Sequence, residues 1–164
     1  LTLPIPGVVE DQVGGAYLST KPDQGIEPIE AALFTELASE ITVSASSMAL
    51  VSSASASVEL ARTADGAKEV AKVLMEDKYG WGEKQYTCLE NLWTKESHWN
   101  YKAHNYRSGA HGIAQALPAS KMEIISSDWR TNPVTQIRWG LRYIDIRYST
   151  PCKAYAKFKR SHYY

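Results

Sequence analysis

One helical segment carries an acid on its apolar face, and it constrains the fold more than any other part of the chain. Leu89, Leu92, Trp93 and Glu96 follow the helical spacing i, i+3, i+4, i+7, so their side chains share one side of a helix. Because a carboxyl group among leucine and tryptophan is poorly solvated, its charged form is disfavoured and its pKa should rise. The alternative is that Glu96 ends the helix in solvent, and spacing alone favours that alternative.

Residues that start helices, together with apolar spacing, predict a mainly α-helical chain with few strands. Pro28 and Pro151 can each stand in the first turn of a helix, and Asn132 is a predicted N-cap with Pro133 at the first helical position. A Ser/Ala-rich tract, residues 44–57, is interpreted as part of a long helix, with a strand-like segment as the second choice. Residues 1–28, rich in Pro and Gly, predict an extended arm or loop.

The second half of the chain is predicted to hold most of the core. Helices are expected over residues 83–98 and 118–126, with an irregular loop or a small hairpin over residues 99–116. Gly140 lowers the stability of the helix that Pro133 begins, which indicates close approach by another group. The predicted core positions of this helix are Val134, Ile137, Leu141 and Ile144, and those of a short helix after a break at residues 62–66 are Ala67, Val70, Ala71 and Leu74.

Charge divides the chain into two halves of opposite sign. Residues 1–78 hold five Lys/Arg and twelve Asp/Glu, a net charge of −7, whereas residues 79–164 hold thirteen and six, a net charge of +7. A basic groove in the second half would suit an anionic polymer, and mutual attraction between the halves is an equally good explanation. Nucleic acid fits less well, because the basic residues are scattered and form no Lys/Arg block or known binding motif.

Hydropathy and the first residue bear on where the protein works. No run approaches the roughly 18 apolar residues of a membrane span, so no span is expected. The chain begins at Leu1 rather than Met, so we expect a processed form from which any secretion signal is already removed. The four histidines show no HExxH or paired Cys/His spacing, so no metal and no cofactor are expected.

Three segments in order resemble the lysozyme-like lytic transglycosylases, including the similar domains of secreted actinobacterial cell-wall proteins. They are Glu96-Ser97 at the helix end, Gly112-Ile113-Ala114-Gln115 downstream, and Trp139-Gly140-Leu141-Arg142-Tyr143-Ile144 on a later helix. The resemblance covers residues 80–164. It implies a mainly α, lysozyme-like (α+β) domain over residues 79–164, preceded by a helical N-terminal extension over residues 1–78.

The resemblance also implies a reaction and roles for particular residues. Glu96 would be the catalytic acid and base that cleaves the MurNAc–GlcNAc β-1,4 bond of peptidoglycan and leaves 1,6-anhydro products. Gln115 and Asn105 would hydrogen-bond the sugar, and Tyr143 would orient Glu96. Two further residues join the expected substrate-binding set: Ser97, which would hold the loop or a water, and Trp99, the best candidate for a sugar platform. Each of these has a purely structural alternative as a helix end, a turn or a core residue.

Two cysteines, Cys88 and Cys152, complete the expected site. A bridge between them, as in similar domains, would clamp the catalytic helix to the last helix and would imply an oxidising, extracellular, cell-wall-associated location. The alternatives are two separate buried thiols, or a catalytic Cys88 served by His98 or His111, although no cysteine-peptidase signature surrounds Cys88.

Two other functions stay open beside the transglycosylase. A hydrolytic muramidase would need a second acid, and none stands in the loop expected to face Glu96. A protein without activity could keep this fold and serve as a wall-binding or structural protein, with residues 1–78 available for self-association or for a protein partner.

Overall fold

The computed structural model describes residues 28–164, with side chains from residue 31 onward. Residues 1–27 of the predicted arm lie outside the described residues. Residue 28, the last of the predicted arm, is instead the first residue of a helix. The elements are, in chain order, α1 (Pro28–Leu60), α2 (Ala64–Tyr79), α3 (Glu83–Ser97), a 3-10 helix (Ala119–Ile124), α4 (Pro133–Tyr148) and α5 (Pro151–Ser161).

The fold is mainly α-helical, as predicted, and residues 28–164 contain isolated β-bridges in place of strands. His104 pairs with His111, and His111 pairs with Ala116, both in antiparallel sense. These bridges lie within residues 98–118, so this long connection is an irregular loop with the beginnings of a hairpin. Where a helix was expected to follow Pro118, the chain forms a six-residue 3-10 helix, an element usual in short connections.

Side-chain caps set the starts of three helices. Asn132 accepts hydrogen bonds from the backbone N–H groups of Val134 and Thr135, which confirms the predicted N-cap of α4. The Thr150 side chain accepts from the N–H of Lys153 at the start of α5. Thr63 accepts from the N–H of Gly66, so α2 begins three residues earlier than the apolar pattern indicated, and Gly66 lies inside its first turn.

The long helix predicted for the Ser/Ala-rich tract is confirmed as part of α1. The chain forms two compact units that divide between Ser44 and Ala45, a point inside this helix. In the first unit, the described part is helical from Pro28 and its side chains are exposed from Ala31 onward. In the second unit, α1 side chains stay exposed as far as Ala56, and Val58 packs against the core.

The apolar composition of one stretch of α1 disagrees with the expectation that the chain has no segment able to span a membrane. The segment Ala31–Leu60 is long and apolar enough to cross a membrane by length and composition alone. Core helices and signal sequences meet the same criteria, so the finding is weak evidence for a span. Counting uninterrupted apolar residues missed the segment because serine, threonine and glutamate interrupt it.

The core of the second unit lies between α2, α3 and α4. Leu89, Leu92 and Trp93 of α3 are fully buried, as the helical spacing predicted. The expected core positions are buried in α4, and in α2 all are buried except Leu74, which is partly buried against the core. The core side chains of α4 are Val134, Ile137, Leu141 and Ile144, and those of α2 are Ala67, Val70, Ala71 and Met75.

Candidate active site

Glu96 lies at the penultimate residue of α3, half-buried at the edge of the core. Burial raises the pKa of its carboxyl group to about 7 from an ordinary value of 4.5. Glu96 belongs to none of the ion pairs found among residues 31–164. The spacing alone favoured a solvent-exposed helix end, and the packing places the carboxyl group in a poorly solvated pocket instead.

A cavity of about 230 Å³ opens beside Glu96 and is lined by three other residues expected from the motifs. Asn105 and Gln115 come from the irregular loop, and Tyr143 comes from α4. The cavity therefore joins the end of α3, the loop and α4. Its remaining walls are formed by Ala110, Ala114, Leu117, Lys121, Trp139, His162, Tyr163 and Tyr164.

The two amide side chains in the cavity also hold the loop together. The carboxamide oxygen of Asn105 accepts hydrogen bonds from the N–H groups of Arg107 and Ser108, so Asn105 is a turn residue as well as a wall of the cavity. The carboxamide N–H group of Gln115 donates to the Gly112 carbonyl at 2.8 Å. One end of each amide is thus fixed by the backbone, which orients the other end.

Tyr143 stands in the cavity wall as an aromatic surface. Its ring stacks on Trp139 at 5.1 Å between centroids with an interplanar angle of 13°. Within the described residues its hydroxyl makes no hydrogen bond to Glu96, although both side chains line the cavity. Burial raises the pKa of the Tyr143 hydroxyl, and the neighbouring Tyr148 raises it further, so Tyr143 is neutral at physiological pH.

Two residues of the expected substrate-binding set, Trp99 and Ser97, are buried and do not line the cavity. Trp99 is only 1% exposed, and its ring packs edge-on against Trp93 at 5.0 Å, so it cannot serve as a sugar platform. The buried Ser97 hydroxyl donates to the Ile113 carbonyl at 2.6 Å, so Ser97 holds the loop, which is one of the two roles expected for it. Ser97 follows Trp93 by four residues and so shares the buried face of α3. Trp99 enters the core after the helix ends, where His98 and Trp99 adopt left-handed backbone angles.

Gln136 of α4 is a structural centre that the sequence reasoning missed. It is 0% exposed; its oxygen accepts from the Ile113 N–H, and its nitrogen donates to the Tyr101 and Trp129 carbonyls. Gly112 has φ +81°, and a Cβ there would lie 2.5 Å from the Gln136 oxygen, so only glycine permits this approach. The sequence signal for this role was the position of Gln136, a polar residue next to the apolar face of the predicted helix.

Gly140 allows α4 to approach the wall of the cavity closely. A Cβ at this position would lie 2.5 Å from the Trp93 ring and 2.8 Å from the Ala114 Cβ. The expectation of a close approach at Gly140 is therefore confirmed. This contact sets the distance between α4, which carries Tyr143, and α3, which carries Glu96.

The family comparison agrees with this arrangement. Residues 79–157 match the family model described as Transglycosylase SLT domain. This part of the chain is an SLT domain. The matched residues include Glu96, Gln115 and Tyr143, and the lysozyme-like, mainly α-helical fold expected from the motifs is confirmed. No curated protein and no solved structure matches the chain significantly.

One acidic side chain lines the described part of the SLT domain's cavity. Among the described residues that line it, Glu96 is the only acid. Glu83 pairs with Lys72, Glu90 pairs with Lys68, and Asp128 accepts from Asn132 and Thr135 near the start of α4. Partial burial acts to raise the pKa of Asp128, and these hydrogen bonds outweigh it and lower the pKa. These three acids thus have structural partners away from the cavity.

A disulfide bond joins α3 to α5 in the SLT domain. Cys88 and Cys152 are bonded to each other, as the resemblance implied. No free cysteine stands among the described residues, so a cysteine nucleophile is excluded there. Residues 28–164 also contain no group of three or more His, Cys, Asp and Glu side chains that could hold a metal ion.

Proposed function

We propose that the SLT domain is a lytic transglycosylase that cleaves the MurNAc–GlcNAc β-1,4 bond of peptidoglycan with Glu96 as its only acid and base. The observation that carries this proposal is the half-buried Glu96, with a pKa raised to about 7, in a cavity whose described walls hold no other acidic side chain. A carboxyl group that keeps its proton near neutral pH can donate that proton to a leaving oxygen.

The reaction needs no second carboxylate and consumes no water. Glu96 gives its proton to the glycosidic oxygen as the bond from MurNAc C1 to that oxygen breaks. The substrate's N-acetyl group supports the positive charge that develops at C1. The C6 hydroxyl of the same MurNAc then bonds to C1 and gives its proton to the Glu96 carboxylate, so the acid is restored and the product is a 1,6-anhydro sugar.

The single acid favours this route over hydrolysis. Retaining hydrolases hold two carboxyl groups roughly 5 Å apart and inverting ones roughly 6.5–9.5 Å apart. The described walls of this cavity supply one acidic side chain. A hydrolytic muramidase would therefore lack its nucleophile or base among these residues.

The other cavity residues fit roles in substrate binding. The free ends of the Asn105 and Gln115 amides would hydrogen-bond the sugar hydroxyls or the N-acetyl group, since the backbone already holds the opposite ends. Tyr143, stacked on Trp139, would form an apolar wall for a sugar ring. Tyr143 would then act on the substrate rather than through a hydrogen bond to Glu96.

We infer that the protein works outside the cytoplasm, at the cell wall. The disulfide between Cys88 and Cys152 suits an oxidising compartment, and the substrate of an SLT domain is peptidoglycan. The net charge of +7 over residues 79–164 suits a wall that carries carboxylates and phosphates.

The test is incubation with purified peptidoglycan, followed by mass spectrometry of the soluble muropeptides. The parent protein should release anhydro-muropeptides, the Glu96→Gln variant should release none, and a Glu123→Gln variant should match the parent because Glu123 is exposed and outside the cavity. Reducing-end muropeptides from the parent would show a muramidase instead. Intact glycan, with the protein retained on the wall, would establish a wall-binding or structural protein.

A further inference from the structure

The segment after α5 turns back toward the acid. Helix α5 ends at Ser161, and His162 adopts φ +57° while its N–H donates to the Phe158 carbonyl at 2.7 Å. The Ser161 hydroxyl donates to the Tyr163 carbonyl, which holds the turn. His162, Tyr163 and Tyr164 consequently line the same cavity as Glu96.

One hydroxyl group in this segment joins the two elements that carry the site. The Tyr164 hydroxyl accepts a hydrogen bond from the Trp93 indole N–H at 2.9 Å and donates one to the Ala114 carbonyl at 3.1 Å. Trp93 lies three residues before Glu96 on α3, and Ala114 directly precedes Gln115 in the loop. The bridge therefore spans from the helix of the acid to the loop of the sugar-binding amide.

We propose that Tyr164 is a positioning residue for Glu96: its hydroxyl fixes the distance between α3 and the loop, and its ring shields the carboxyl group from water. The motif reasoning missed it, because Tyr164 lies outside the three motifs. The family match ends at residue 157 and does not include it either. The expected effect of Tyr164 on the rate of cleavage rests on the proposed function. Its shielding of the Glu96 carboxyl group from water does not.

Tyr164 does not act as the proton donor itself. Burial raises the pKa of its hydroxyl well above 10, and the negative charge of Glu96 raises it further. The hydroxyl proton is directed at the Ala114 carbonyl, so it does not stabilise the Glu96 carboxylate. Tyr164 thus keeps the surroundings of Glu96 apolar without lowering its pKa through a hydrogen bond.

Other titratable groups face Glu96 and stay unchanged in the test. Lys121 from the 3-10 helix, Tyr143 from α4, and His162 and Tyr163 after α5 line the cavity with it. On α3 itself, Lys95 is adjacent to Glu96 in sequence, and His98 follows two residues later. Because substitution of Tyr164 retains all of them, a change in the Glu96 pKa reports the loss of the Tyr164 side chain.

The experiment is an NMR titration of the Glu96 carboxyl carbon in the parent, Tyr164→Ala and Tyr164→Phe. In Tyr164→Ala, water enters and the Glu96 pKa should fall by about one unit or more toward 4.5, the ordinary value. In Tyr164→Phe the ring remains, so the pKa should move less, while both hydrogen bonds are lost and kcat should fall about tenfold with KM little changed. Tyr86→Phe is the matched control, because Tyr86 lies near the start of α3, outside the cavity.

An unchanged Glu96 pKa in a folded Tyr164→Ala variant would overturn the shielding role. Full kcat in Tyr164→Phe, or an equal loss in Tyr86→Phe, would overturn the positioning role. If Tyr164→Ala does not fold, the kcat of Tyr164→Phe still decides the positioning role. A parent protein without activity would remove the proposed function, and the titration would still show whether Tyr164 sets the protonation of Glu96.

Discussion

At the scale of single residues, the site depends on where α3 places one carboxyl group. Glu96 shares a helix face with the fully buried Leu89 and Trp93, and it stops at the edge of the core where the cavity opens. Its pKa of about 7 comes from this burial alone, because no charged partner contributes to the shift. Protonation of Glu96 should therefore control both activity and stability.

Cleavage should decline as the pH rises through about 7, because Glu96 must hold a proton to act as the acid. The measurement is the initial rate of muropeptide release across the pH range on either side of this value. A rate that increases through pH 7 and then stays constant would contradict the assignment of Glu96 as the acid.

Stability should also depend on Glu96. Its folded-state pKa is raised from 4.5 to about 7, so its contribution to stability is complete below the lower value and is lost as the pH rises through the higher one. Allowing for solvent screening of this partly exposed group, Glu96→Gln should stabilise the protein at alkaline pH by about 1–2 kcal/mol. Thermal unfolding at acid and alkaline pH tests this, and an equal difference at both would refute it.

At the scale of elements, the loop is held to α4 by one buried side chain. Gln136→Met would remove the partners of the Ile113 N–H and of the Tyr101 and Trp129 carbonyls. We expect a loss of about 2–4 kcal/mol in the free energy of unfolding, measured with denaturant, because buried backbone groups would lose their partners. Gln85→Met removes the hydrogen bond that Gln85 accepts from the Cys152 N–H, and it should lower the free energy of unfolding by less. Equal losses would argue against a special role for Gln136.

The disulfide fixes α5 against α3. It links residues that are 64 positions apart, so removing it returns considerable freedom to the unfolded chain. The double variant Cys88→Ala/Cys152→Ala should lose about 2–4 kcal/mol of stability. The check is thermal unfolding of this variant beside the parent with and without a reducing agent. A variant as stable as the oxidised parent would show that the bond contributes little.

At the scale of the whole molecule, charge is divided along the sequence. Residues 79–164 carry a net charge of +7, and Lys121 among them lies in the wall of the Glu96 cavity. Arg142 and Arg147 line a neighbouring cavity, and Tyr143 lines both cavities. We propose that this half meets the anionic wall, whereas the division into domains at residue 78 remains a prediction. Helix α2 lies before that division and nevertheless packs against α4.

Binding of the Glu96→Gln variant to peptidoglycan should weaken when salt is raised from about 0.05 M to about 0.5 M, because exposed charges are screened. The measurement is the bound fraction in a pull-down with insoluble wall. An uncharged N-acetylglucosamine oligomer is the control, and its binding should change little with salt. Wall binding that does not respond to salt would exclude an electrostatic contribution.

The sequence by itself predicted the mainly α-helical fold, the N-cap of α4 and Glu96 as the candidate acid. Periodic apolar residues identify the buried faces of α3 and α4, and Asn132-Pro133 marks a helix start, because these signals act between neighbours in the chain. The order of three motifs was enough to identify the family. Local signals of this kind need no knowledge of the packing.

Only the tertiary structure decided which side chains meet at the cavity. Trp99 follows the acid closely in sequence yet packs into the core, whereas Tyr164, 68 positions after Glu96, lies beside it. Gln136 satisfies backbone groups of Tyr101 and Ile113 in the loop and of Trp129 beyond the 3-10 helix. The raised pKa of Glu96 was also decided by the tertiary structure, because it results from the burial that these long-range contacts produce. Contacts of this kind depend on how helices pack, and spacing along the chain does not encode them directly.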